Sequence, residues 1–155
     1  MNQNNDIEEI RKIEYAMASA QTLDDCLQCW HKDVVQIDIM PGALVGIEAV
    51  RKSLAPQFDG CENIRCDIND LKIVVEGNMA YAHSTMVFTA NGKAGGPYGN
   101  AGLFEAKSDG ADSVHMSWRQ TDIYRREDGR WQLVHQHSSF PIDKSSGKAI
   151  IAPQS

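Results

Sequence analysis

Polar side chains are concentrated in one C-terminal stretch, Trp118 to Pro141, which reads WRQTDIYRREDGRWQLVHQHSSFP. A carboxylate can take up a proton, an imidazole can exchange one near neutral pH, and hydroxyl and guanidinium groups can donate hydrogen bonds. The polar residues here are Arg119, Thr121, Asp122, His135, His137 and Ser139. A hairpin that only filled a core would alternate apolar with solvated residues, so this density predicts that the stretch lines a pocket.

The same stretch predicts a β-hairpin. Runs 114–126 and 130–140 flank Asp128-Gly129, and an Asp-Gly pair favours a tight primed turn because that turn needs positive φ. At regular strand pitch Asp122 shares a face with Trp118, while Arg119 and Thr121 share the other, unless a bulge intervenes.

Two carboxylates are candidates for acid-base chemistry. Asp38 ends an apolar strand, VVQIDIMP, where desolvation would move its pKa toward a general base's range, although an outward Asp at a strand end is the alternative. Asp122 could stay protonated and donate a hydrogen bond to a developing oxyanion. Its alternative is a salt bridge with Arg119, Arg125 or Arg126.

Histidines offer further polar contacts. His135 and His137 are predicted to share a face with Trp131 and Leu133; a structural pair in a pocket wall or dimer interface is favoured over a metal site, because no fixed ligand spacing is present. His83 is a candidate for a substrate hydrogen bond. The predicted apolar pocket walls are Trp30, Met40, Phe58 and Trp118.

The elements that would position these groups are helices followed by strands. Periodicity predicts helices over 6–20, 22–30 and 47–58, and strands over 34–39, 66–75, 79–89 and the final hairpin. This is an α+β pattern: a curved antiparallel sheet wrapped over three N-terminal helices, forming a cone with an internal pocket. The Gly-rich run 91–102 is expected to be a flexible loop over the pocket mouth.

Composition narrows the class. The 155 residues are expected to form a single domain, with a core over about 6–143 and a polar tail over 144–155. A net charge of −6 argues against nucleic-acid and anionic-membrane partners. No run is long and apolar enough to span a bilayer, and no signal peptide is evident, so a cytoplasmic location is expected. Cys26 and Cys29 are interpreted as part of an apolar helix face rather than a redox or metal motif.

The element order and the run RREDGRWQLVHQHSSFP resemble the nuclear transport factor 2-like superfamily, and within it the SnoaL-like and ketosteroid-isomerase-like proteins. The hairpin run is also similar to that of the calcium/calmodulin-dependent kinase association domain. The resemblance to ketosteroid isomerases implies that Asp38 is the proton-shuttling carboxylate and Asp122 the second acid. Their third group, a tyrosine on the first helix, has no match, because Glu14 occupies that position and Tyr15 lies one residue on.

Two classes of function follow. The first is a cofactor-independent isomerase or lyase that uses a carboxylate base on a small apolar or cyclic carbonyl substrate. The alternative is a non-catalytic ligand-binding or dimeric assembly module. No metal is expected in either, and the resemblance implies a homodimer formed through sheet faces.

Overall fold

The computed structural model describes residues 3–92 and 113–151, and over these ranges the chain is an α+β structure, as the sequence predicts. The elements are α1 Gln3–Ala18, α2 Leu23–Leu27, β1 Trp30–Ile37, β2 Leu44–Val45, α3 Ile47–Gly60, β3 Cys61–Glu76, β4 Met79–Gly92, β5 Ser113–Glu127 and β6 Arg130–Ser139. No helix among the described residues is long and apolar enough to cross a membrane.

The strands form one six-stranded sheet in the order β2-β1-β6-β5-β4-β3. All neighbouring strands are antiparallel except β1 and β6, which run parallel. The helices cover the inner face of this sheet, where Ile10 of α1 and Val50 of α3 join Tyr124 and Leu133 in a fully buried core. An amphipathic stripe on each longer helix explains this packing, because burial of that stripe is what holds a helix against a sheet.

Curvature of the sheet comes from two irregularities in β3. Its pairing with β4 shifts register between Glu62 and Arg65 and again between Asn69 and Lys72. Each shift contains a residue with positive φ, Asn63 at 52° and Asp70 at 55°. Asn and Asp tolerate this conformation better than most residues, and such bulges bend and twist a strand. The long β3–β4 pair can therefore curl over the helices.

The final hairpin turns where the sequence predicts. Asp128 and Gly129 both have positive φ, at 50° and 77°. Two consecutive positive φ values define the primed turn whose twist matches that of the flanking strands. Polar residues on β5 and β6 are therefore held in a fixed register.

Gly129→Ala is expected to lower the free energy of unfolding by about 1 kcal/mol, because an L side chain with a Cβ disfavours positive φ. Among residues 3–92 and 113–151 no atom lies within 4 Å of the added Cβ, so the loss is conformational rather than steric. Urea unfolding would measure it. Gly129→Asn serves as the control and should lose less, since Asn adopts this conformation more readily; equal losses would contradict the conformational explanation.

Three regions differ from the sequence expectations or fall outside them. Trp30 begins β1 instead of ending the second helix, which stops at Leu27. Asn91 and Gly92 end β4, while the rest of the predicted loop over the pocket mouth, 93–102, lies outside the described residues. The first part of the polar tail is attached to the sheet through a hydrogen bond from Ser117 N to Ile151 O at 2.7 Å.

Candidate functional site

A pocket of about 150 Å³ lies between the helices and the inner face of the sheet. A cavity of about this volume holds a benzene molecule, so the pocket suits a small ring. Its walls are mainly apolar and aromatic. They include Trp30, Phe58, Met86, Phe88, Met116 and Trp118. Of the four apolar wall residues predicted from the sequence, Trp30, Phe58 and Trp118 line the pocket. The fourth, Met40, is 56% exposed and lies outside the lining.

Two carboxyl groups, four amides and a hydroxyl also line the pocket. They belong to Glu14, Asp38, Gln36, Gln57, Gln120, Gln136 and Ser138. The three glutamines on strands, Gln36, Gln120 and Gln136, are buried, as is Ser138, and Glu14 is only 1% exposed. Few polar groups in an apolar cavity are typical of ligand sites, where they fix the orientation of the bound molecule.

Asp38 follows the end of β1 and is partly buried on the pocket wall. Its Oδ1 accepts a hydrogen bond of 2.7 Å from the backbone N–H of Ile39. That bond fixes the carboxylate at the strand end. A carboxylate placed beside an apolar cavity can take a proton from a molecule bound there.

Asp122 lies on the inner face of β5, behind the pocket lining, and is 1% exposed. Its side chain is in hydrogen-bond contact with the carboxyl group of Glu14. The hydroxyl of Tyr124 donates to Glu14 Oε1 at 2.9 Å. Glu14 therefore stands between Asp122 and the pocket, and the two carboxyl groups share one buried environment.

Burial governs the ionisation of this carboxyl pair. Desolvation raises the pKa of Glu14 from 4.5 to about 9; the negative charge of Asp122 adds to the rise, and the Tyr124 hydroxyl opposes it. Desolvation also raises the pKa of Asp122 from 3.8 to about 6, against hydrogen bonds from Gln120, Gln136 and Glu14. Like charges in contact cannot both persist in a low-dielectric site. At neutral pH the pair is accordingly expected to hold one proton, and Glu14 is the expected carrier because its pKa is raised more than that of Asp122.

The arginines near Asp122 in sequence are engaged elsewhere. Arg125 pairs with Glu127 at 2.5 Å, Arg126 pairs with Asp6, and Arg119 donates to the carbonyl of Phe140. The salt-bridge alternative for Asp122 is thus not realised in the part of the chain that the structure describes. The side chain of Asp122 points inward, and Arg119 and Thr121 lie on the opposite, exposed face of β5. This is the alternation that the sequence predicts for a regular strand.

A bulge in β6 changes the orientation of its histidines. Ile123 pairs with His135 and Tyr124 pairs with Leu133, so Val134 is an extra residue in the strand. Leu133 is buried, whereas His135 is half-buried and His137 is exposed. The expectation that these histidines share a face with Trp131 and Leu133 is therefore wrong, because the bulge reverses the alternation.

The histidine candidates lie on the outer sheet face, away from the pocket. Thr121 pairs with His83 on one side and with His137 on the other, so all three share that face. His83 is exposed and stacks against Tyr81, with ring centroids 6.4 Å apart. Over residues 3–92 and 113–151, no three His, Cys, Asp or Glu side chains converge as a metal site requires.

Glu14 and the three glutamines were not among the candidates drawn from the sequence. Helical spacing contains the signal for Glu14, because it lies four residues after buried Ile10 and three before half-buried Met17. A charged residue inside an apolar stripe is buried only when it is paired or neutral. The glutamines carry no comparable signal, since their inward direction depends on the strand register and on the β6 bulge.

A family model, the SnoaL-like domain, matches residues 14–134. No curated protein matches the chain. The fold is similar to that of an NTF2-like protein of unknown function from Pseudomonas putida, at 21% identity and a TM-score of 0.72, covering 96% of this chain and 95% of that one.

Two further solved structures share the fold. A Streptomyces avermitilis protein, provisionally named a dehydratase of the NTF2-like family, is 20% identical with a TM-score of 0.69, covering 88% of this chain and 97% of its own. A Novosphingobium aromaticivorans protein, provisionally named an aromatic ring hydroxylase, is 17% identical with a TM-score of 0.71, covering 92% and 94%. Because the family match spans most of its length, this chain belongs to the SnoaL-like family, and its fold is that of the NTF2-like structures.

Proposed function

We propose that this protein binds a small, mainly apolar or cyclic carbonyl compound in the pocket and moves protons on it as an isomerase or lyase, without a bound cofactor. The observation that supports this most is the pairing, in one apolar pocket, of the Asp38 carboxylate with the protonated carboxyl group of Glu14. Proton transfer requires a group that can take up the proton and a second group that can donate a hydrogen bond to the charge that develops. The provisional name of the Streptomyces avermitilis relative, a dehydratase, fits the same chemistry.

Each carboxyl group has a role in this proposal. Asp38 removes a proton from the carbon next to the carbonyl; the electron pair of that C–H bond forms a carbon–carbon double bond, and the π pair of the carbonyl moves onto its oxygen. The single O–H of Glu14, which donates to Asp122 when no ligand is bound, turns to donate to this oxygen, while Asp122 behind it retains the negative charge of the pair. Return of the proton from Asp38 to another carbon completes an isomerisation; in an elimination, the group on the neighbouring carbon leaves with its bonding electron pair and takes up the proton from Asp38.

Deuterium exchange tests the proposal without knowledge of the natural substrate. The protein is incubated in D2O with small cyclic ketones such as cyclohexanone and cyclohexenone, and loss of the proton signals next to the carbonyl is followed by NMR. We expect exchange above the rate with heat-unfolded protein at equal concentration. Ketones that bind without accelerated exchange would support the alternative, a ligand-binding module, and contradict the enzyme.

We also propose a homodimer formed through the outer sheet face. Pairing across the strands aligns an outer row that contains Val35, His135, Ile123, Tyr81 and Val74. Tyr81 is 46% exposed and Val74 43%. A mainly apolar row across a sheet is unusual on a solvated face and is typical of a contact surface.

Tyr81→Glu is expected to convert the dimer to a monomer, because it would bury a charge in the centre of the interface. Light scattering at micromolar concentration measures the mass. The matched control is Tyr15→Glu, since Tyr15 is similarly exposed, at 49%, but lies on α1. A wild-type protein of monomeric mass would rule out the dimer, and a Tyr81→Glu variant that stays dimeric would exclude this face.

A further inference from the structure

Two of the pocket glutamines, Gln36 and Gln136, form a row across the strands that begins at the buried carboxylate of Asp122. Gln36 on β1 pairs in register with Gln136 on β6, and Gln136 pairs in register with Asp122 on β5. All three residues are buried, at 2%, 8% and 1% exposure. The row therefore extends from Asp122, which lies behind the pocket lining, to Gln36 on β1, the strand that Asp38 follows.

Hydrogen bonds connect the row in one direction. Gln36 Nε2 donates to Gln136 Oε1 at 2.9 Å. Gln136 in turn lies directly across from Asp122 in the strand pairing, and hydrogen bonding from its side chain lowers the pKa of that carboxyl group against the effect of burial. On the other side, Trp118 Nε1 donates to Gln120 Oε1 at 3.0 Å, and Gln120 Nε2 donates to Asp122 Oδ2 at 2.6 Å.

Only one orientation of these amides is compatible with their neighbours. An ionised carboxylate only accepts hydrogen bonds, and an indole N–H only donates. Gln136 must therefore turn its NH2 toward Asp122, which leaves its oxygen to accept from Gln36. Reversing both amides would place the oxygen of Gln136 against the carboxylate, with repulsion in a low-dielectric environment.

This orientation leaves the acceptor at the pocket end of the row without a donor. Two buried oxygens of the network, Gln36 Oε1 and Asp122 Oδ1, have no hydrogen-bond partner among the described residues, and of these two residues only Gln36 lines the pocket. The opposite end of the network, at Trp118 and Gln120, is satisfied. Leaving a buried acceptor unpaired is costly, so a ligand that supplies a donor at this position gains affinity over one that does not.

We propose that Gln36 Oε1 is a specificity site for a hydroxyl or N–H group of the small ring that occupies the pocket. Asp122 acts on this site as a positioning residue, through Gln136. The inference rests on the proposed function only in that the pocket binds a small ring; it does not depend on Asp38 acting as a base. It narrows the ligand class to hydroxylated or N–H-bearing rings.

Phenol and toluene form a matched pair of probes, because they are nearly isosteric and only phenol can donate. Their dissociation constants are measured by NMR titration on the full chain, as wild type, as Gln36→Met and as Gln28→Met. Methionine has the length of glutamine without its hydrogen-bonding groups, and Gln28 is an exposed glutamine outside the pocket lining, which makes it the control. We expect the preference for phenol over toluene to fall roughly tenfold in Gln36→Met and to stay unchanged in Gln28→Met.

Asp122→Asn tests the positioning role. An asparagine can accept or donate, so Gln136 is free to reverse, and the preference for phenol should fall several-fold while toluene still binds. Retained toluene binding separates this effect from collapse of the pocket. An unchanged phenol-to-toluene ratio in Gln36→Met overturns the specificity site alone. Failure of both probes to bind wild type overturns the site together with the proposed small-ring pocket.

Discussion

Replacing Asp38 with asparagine is expected to slow deuterium exchange of a bound ketone by about 10²–10⁴-fold, the contribution typical of a general base. Asparagine keeps the size of the side chain and an oxygen that can accept the hydrogen bond of 2.7 Å from Ile39 N. It cannot take up a proton. The variant should therefore bind ketones as wild type does while losing exchange, and NMR exchange rates at saturating ketone measure the loss.

The matched control is Asp33→Asn, an aspartate on β1, the strand that ends just before Asp38; its side chain is 74% exposed and lies outside the pocket lining. Its exchange rate should equal that of wild type. A rate that stays within a few-fold of wild type in Asp38→Asn would show that another group takes the proton, and the role assigned to Asp38 would be wrong.

Stability is expected to fall steeply with rising pH because of Glu14. In the folded protein burial raises the pKa of Glu14 from 4.5 to about 9. Between about pH 6.5 and 8.5 the folded state keeps this proton and the unfolded state has lost it. The folded state then binds more protons, so the free energy of unfolding decreases by up to about 1.4 kcal/mol per pH unit from this group.

Glu14→Gln is expected to remove this slope. The glutamine oxygen can still accept from Tyr124, and its NH2 can donate to Asp122, so the variant resembles the protonated state at every pH. Chemical denaturation at pH 6.5, 7.5 and 8.5 compares it with wild type and with Glu9→Gln, an exposed glutamate on the same helix. Wild type and Glu14→Gln showing parallel pH dependence would contradict a buried, protonated Glu14.

Much of the fold could be predicted from local sequence signals. The Asp128-Gly129 turn has a backbone requirement that few residue pairs meet, and the structure shows the two positive φ values that it implies. The start of the second helix near residue 22 is a similar case, because Thr22 is a typical N-cap residue and its Oγ1 accepts from Asp25 N at 3.2 Å. The end of that helix was not predictable, because Trp30 fits an apolar helix face and an apolar strand equally well.

Side-chain directions on the sheet were harder to predict, since each depends on long-range register. One extra residue, Val134, turns His135 and His137 to the outer face, and nothing local in the sequence marks that bulge. Gln36 and Gln136 meet because β1 pairs with β6, nearly 100 residues away in the chain. Strand parity did correctly separate Asp122 from Thr121, since β5 keeps regular alternation between them.

The proposed acid and the orientation of the glutamines both depend on one claim: Glu14 carries the proton of the buried pair at neutral pH, and Asp122 is ionised. Carbon-13 NMR titration of the side-chain carboxyl signals tests it directly, with signals assigned through Glu14→Gln and Asp122→Asn. We expect the Glu14 carbon signal to show a carboxyl group that stays protonated through pH 7 and titrates near pH 9. The Asp122 carboxyl group should titrate near pH 6. A Glu14 carboxyl group that is already ionised at pH 7, with its midpoint near the ordinary value of 4.5, would contradict the claim.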